Sequence, residues 1–110
     1  MANVFKNSVT GSIGLTNTNV YQVPAATTTT IIGVNVANVS NQNISVSVRL
    51  TDSSASKTVY LVKDVLITPG AATVLVGGEQ KIVLEATDYL SVVSSAAACA
   101  DVIVSALELS

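Results

Sequence analysis

Between Asn43 and Thr51 the chain alternates without a break. Ile44, Val46, Val48 and Leu50 fall on one side of an extended backbone, and Ser45, Ser47, Arg49 and Thr51 fall on the other. Side chains of a strand point to opposite faces with a period of two, so the spacing describes a strand with one dry face and one wet face. The same residue types fill the rest of the chain. Val (19), Ile (7) and Thr (12) make up 38 of its 110 residues. Branching at Cβ costs side-chain freedom in a helix and suits a pleated sheet. No segment has the pattern of a crossover helix, which parallel strands would need. The expectation is all-β: an antiparallel β-sandwich or jelly roll of roughly eight to ten short strands in a single domain, residues 1–110.

Further strands read as Asn19–Val23, closed by Pro24, and Thr28–Val39, with Ile32, Val34 and Val36 on one side. Ser40-Asn41-Gln42 reads as a polar turn joining Thr28–Val39 to Asn43–Thr51 in a hairpin. Lys57–Lys63 and Val65–Ile67 read as two strands, the second ending at Pro69-Gly70, a strong turn signal. Ala72–Val76 stops at Gly77-Gly78. Lys81–Glu85, Tyr89–Val93 and Asp101–Leu109 complete the set. Residues 1–14 read as an edge strand or an extended N-terminal arm.

Charge is scarce. Charged residues are 11% of the chain and apolar ones 49%, against about 25% charge in an ordinary soluble domain. Net charge is −2, which removes the counterion-release driving force of a nucleic-acid binder. No stretch approaches the ~18 apolar residues of a membrane helix. Met1–Ser8 lacks the apolar core of a signal peptide, and a lone Cys99 cannot close an internal disulfide. Both fit a chain folded in a reducing cytosol.

Chemistry is as scarce as charge. The absence of His excludes Ser-His-Asp and Cys-His arrangements and imidazole metal ligands. No phosphate loop or calcium loop is present. The carboxylates Asp52, Asp64, Glu79, Glu85, Asp88, Asp101 and Glu108 read as solvated turn residues, with only Glu85 and Asp88 close in sequence. No enzyme, cofactor or metal site is expected. The lack of Trp, with Tyr21, Tyr60 and Tyr89 as the tyrosines, weakens a glycan-binding lectin reading.

Twelve charged side chains must keep the whole surface wet. The last strand is apolar on both faces, with Val102, Val104 and Ala106 alternating with Ile103, Ser105 and Leu107. A homo-oligomer or larger shell is therefore expected. The candidate contact residues are Val4, Phe5 and Ile13 in the N-terminal arm. Ala96, Ala97, Ala98, Cys99 and Ala100 form a smooth apolar loop. That loop has two readings: a contact site, or a tight bend closing one end of the sandwich.

Three stretches carry a resemblance. They are Phe5-Lys-Asn-Ser-Val-Thr-Gly-Ser-Ile-Gly14, the run from Val20-Tyr-Gln-Val-Pro-Ala-Ala through four threonines to Ile31-Ile-Gly-Val-Asn-Val-Ala-Asn38, and Lys81-Ile-Val-Leu-Glu-Ala-Thr-Asp-Tyr-Leu90. Together they resemble small all-β virion proteins of tailed bacteriophages, including phages of cyanobacteria. The resemblance implies a structural component that binds other virion proteins and carries no catalytic residue. Its first expected role is capsid decoration, as a cement protein over junctions of the major capsid protein, made in the host cytoplasm. A homotrimer would suit the three-fold positions of a shell. A neck, baseplate or tail-fibre module is the alternative.

Overall fold

A computed structural model describes residues 3–76 and 81–109. The turn expected at Gly77-Gly78, and Glu79, lie outside the described residues. Nine strands run in chain order: β1 (Asn3–Ile13), β2 (Thr18–Gln22), β3 (Thr28–Asn38), β4 (Ile44–Asp52), β5 (Lys57–Ile67), β6 (Ala72–Val76), β7 (Ile82–Leu84), β8 (Tyr89–Ser94) and β9 (Ala100–Leu109). One sheet has the order β1-β9-β3-β6, with β7 beside β6 along the same edge of β3; the other has the order β2-β8-β4-β5. Every strand pair is antiparallel. The chain passes repeatedly from one sheet to the other, so the two layers form a jelly-roll sandwich. The expected all-β class and strand number are those observed.

The period-two pattern explains why the layers close. In β4, Ile44, Val46 and Val48 are buried, and in β9 so are Val102, Val104 and Ala106. They meet Val34, Val36, Leu84, Leu90 and Val92 in a single core. Burying one such aliphatic side chain stabilises the fold by about 1.5–3 kcal/mol.

Several local expectations need correction. β3 and β4 are not a hairpin: they lie in opposite sheets, facing each other across the core. Asn38 makes the crossing possible. Its Nδ2 donates to the carbonyls of Gln42 (2.8 Å) and Ile67 (2.9 Å), and its Oδ1 accepts from the Ser40 amide and hydroxyl. Residues 57–63 and 65–67 are one strand, β5, bent at Asp64, whose φ is 55°. The Ser47 hydroxyl accepts the Asp64 amide at this bend. A register shift between Ile31 and Gly33 moves the phase of β3, so Ile31, not Ile32, is fully buried. A similar shift in β2 buries Val20 and Tyr21 together.

The loop 95–99 closes one end of the sandwich. The Cys99 amide donates to the Ile13 carbonyl, and the Val39 amide donates to the Cys99 carbonyl. Ala98 is exposed there with φ of 49°, in the left-handed region that disfavours a Cβ. Ala98→Gly is expected to raise stability by ~0.5–1 kcal/mol, relief of strain outweighing the looser unfolded chain. A urea midpoint that falls would contradict this.

Candidate interaction surface

The two outer faces of the sandwich differ. The register places side chains of the β1–β9–β3–β6/β7 sheet in rows. Phe5, Leu107, Thr30 and Val83 form one row, and Val9, Ile103, Asn35 and Val74 form another. Asn7 and Ser105 lie between them beside Ile32. Phe5 (77% exposed), Val9 (69%), Val74 (67%) and Val83 (63%) are the most open apolar side chains here. Among the described residues the paired rows of this face carry one charge, Asp101, at its end beside Ala37, with Lys6 at the rim of the hollow beside Phe5 and the exposed Lys81 just before β7. The outer face of the other sheet is more polar. Arg49 lies between Tyr60 and Ser91, Thr51 lies between Thr58 and Tyr89, and Lys63 sits 5.5 Å over the Tyr60 ring.

Four strands about 4.8 Å apart and some seven residues long span roughly 450 Å². A stable pairwise interface uses about 800 Å² per partner. One such face therefore suits repeated weak contacts better than one tight pair.

The expected contact residues divide. Val4 and Phe5 are exposed on β1, and Ala97 and Ala98 are exposed on the end loop, with Ala96 half-buried. Ile13, Cys99 and Ala100 are fully buried and cannot meet a partner. Ile13 fills the core where β1 enters it. The Cys99 Sγ lies 2.6 Å from Ser94 Oγ and donates to the Ala96 carbonyl at 3.1 Å. The run 96–100 thus makes a tight bend that buries Cys99 and Ala100 and leaves Ala97 and Ala98 outward. Val74, Val83, Ile103 and Leu107 were absent from the expected contact set. Their outward positions follow from the alternation within β6, β7 and β9.

A tyrosine–carboxylate pair is also buried. Glu108 shares the inward phase of Val102, Val104 and Ala106, and is 8% exposed rather than solvated. Tyr21 donates its hydroxyl proton to Glu108 Oε2 at 2.5 Å, Thr29 Oγ1 lies 2.8 Å from the same phenol, and Lys6 Nζ is 3.5 Å from Glu108 Oε1. Burial, with the Glu108 carboxylate beside it, pushes the Tyr21 phenol from 10.0 up to about 12. A raised phenol contributes stability that is complete below pH 10 and is lost as pH rises through about 12. Tyr21→Phe is expected to flatten that alkaline decline, read as the urea midpoint from pH 8 to about pH 12.

Asp52, Glu85 and Asp88 also converge, with one oxygen of each within 4.8 Å of the others. Loop hydrogen bonds use two of these carboxylates. Asp88 Oδ1 accepts from the Ser53 amide and hydroxyl, and Oδ2 accepts from the Glu85 amide. Asp52 Oδ1 accepts from Ser54 Oγ and the Ser54 and Ala55 amides, which hold its carboxyl below the ordinary value.

No protein-family model and no curated protein matches the sequence. Solved structures match the fold. One is a protein of the Bacillus endospore appendages, a family of disulfide-linked pili, at a TM-score of 0.58 and 11% identity over 98% of this chain and 88% of that one. Another belongs to the T13 IBDV viral particle, at 0.57 and 12% identity over 96% of this chain and 30% of that one. The fold is shared; the sequence is not. This chain spans less than a third of the viral protein it matches.

Proposed function

We propose that this chain is a non-enzymatic structural subunit of a tailed-phage virion, a decoration protein seated over junctions of the major capsid protein. The observation that carries the reading is the outer face of the β1–β9–β3–β6/β7 sheet: apolar and almost free of charge, on a chain with little charge anywhere. An exposed apolar patch of this size is often functional. The shared fold with a pilus protein and a viral-particle protein supports a building role. Seating on a shell would stabilise the subunit by mass action, and many copies would offset the modest area of each contact. A trimer at three-fold positions is the expected arrangement. The buried, reduced Cys99 suits folding in the host cytoplasm.

The alternative is a neck, baseplate or tail-fibre module. The exposed edge strand β1 favours it, because edges template further strands. Copy number separates the two. Quantitative mass spectrometry of purified particles is expected to find hundreds of copies. A dozen or fewer would move the protein to the neck or tail, and none would remove it from the virion.

A further inference from the structure

β1 is an unusual strand. Of its eleven residues, Ile13 alone is buried. Its hold on the sandwich is the backbone ladder to β9, from Asn3 opposite Leu109 to Thr10 opposite Val102. Three side-chain ties accompany the strand among the described residues: Ser8 Oγ donates to the Val20 carbonyl at 2.6 Å, Lys6 meets Glu108, and the Ser12 amide donates to Asp101 Oδ1 at 3.2 Å. The register then breaks between Thr10 and Ile13. Gly11 sits in that break beside Ser12, whose φ is 56°. Ile13 beyond it is anchored by its buried side chain and by its carbonyl, which accepts the Cys99 amide. The strand is thus a lightly held segment, residues 3–10, joined to a fixed point through a kinked hinge.

We infer that residues 3–10 are an exchangeable arm that, in the assembled protein, pairs with β9 of a neighbouring copy. The inference rests on the subunit reading above. Charge makes a second copy's arm a fitting occupant of the β9 edge. Glu108 is a buried carboxylate at that edge, and the arm places Lys6 3.5 Å from it. A second copy's arm in the same register restores that ion pair and the whole ladder, so exchange changes no contact type. The reach is set by the hinge. With residues 3–10 all paired to the neighbour, only Gly11 and Ser12 lie between Thr10 and the anchored Ile13, a span of at most about 10–11 Å. The exchange therefore requires a neighbour whose Val102 lies within that distance of this chain's Ile13.

Asn7 and Ser105 face each other across this ladder, and both are exposed. Directly opposed Cβ atoms lie about 4.5–5.5 Å apart, close to disulfide range. Full-length Asn7→Cys and Ser105→Cys chains, each also carrying Cys99→Ser, would be co-expressed, purified natively and oxidised. Cys99→Ala is the second background should the first fold poorly. The expected product is a pair of twice the chain mass, linked from position 7 of one chain to position 105 of the other. Light scattering reports assembly separately. An assembly without that link, alongside an intrachain 7–105 link in the doubly substituted chain, overturns the exchange and leaves the subunit reading intact. A 7–7 link would mean two β1 strands lying edge to edge, and also overturns it. A monomer without interchain links overturns both.

Discussion

Ile103→Lys is expected to leave the sandwich folded while weakening its assembly by about 30- to 5,000-fold. Ile103 is 46% exposed at the middle of β9, between Val9 and Asn35. On the isolated subunit its side chain reaches water, so the substitution should change stability by no more than about 0.5 kcal/mol. Against a partner the ammonium would be buried, and Asp101, two residues along the same face and already accepting the Ser12 amide, can offset only part of that cost. An unpaired interfacial charge costs about 2–5 kcal/mol, which sets the expected loss. Leu66→Lys is the matched control. Leu66 is 63% exposed on the opposite sheet, across from Ser45. Sedimentation of both variants, with thermal midpoints as the folding check, decides the matter. If Ile103→Lys assembles like the parent, or Leu66→Lys falls apart equally, the apolar face is not the interface.

Which parts of this surface were readable depends on what a strand can say alone. The alternation of β4 and β9 identifies their inward residues without a partner, because the period is two and the phase holds. Glu108 was readable by the same rule and was mistaken for a solvated carboxylate because of its charge. Bulges are different. Ile31 and Ile32 are identical letters, and the neighbouring β9 decides which faces inward. The same holds at Asp64, where a hydroxyl of β4 receives the displaced amide. Ser40-Asn41-Gln42 is a turn in a hairpin and a turn in a crossover alike. What separates them is the Asn38 side chain reaching Ile67, 29 residues away. The run 96–100 was readable only in part for a related reason. Small apolar residues suit both an exposed contact and the lid of a core, and the Cys99–Ile13 backbone bond assigns Cys99 and Ala100 to the lid while Ala97 and Ala98 stay outside. The shortage of charge was plain in the sequence. Its concentration on one face needed the order β1-β9-β3-β6.

Asp88→Ala should be among the most damaging single changes, costing about 3 kcal/mol and lowering the melting temperature by roughly 12–20 °C. Asp88 is 3% exposed and gathers three connections at one end of the sandwich. Its carboxylate accepts the Ser53 amide and hydroxyl from the β4–β5 turn and the Glu85 amide from the β7–β8 turn, while its carbonyl accepts the Val23 amide after β2. Removing the carboxylate leaves two backbone donors without acceptors, each worth about 1–3 kcal/mol, reduced where water can enter. Asp88→Asn should cost less but not nothing. Its amide can offer an oxygen to Ser53 only by turning its NH₂ toward the Glu85 amide, donor against donor. The same experiment tests the convergence with Asp52 and Glu85. A carboxylate acting as a staple makes the melting temperature indifferent to millimolar calcium or a chelator, in the parent and in both variants. A calcium-dependent rise in the parent, lost in Asp88→Ala, would mean that these three acids hold a cation and that their role as loop anchors is secondary.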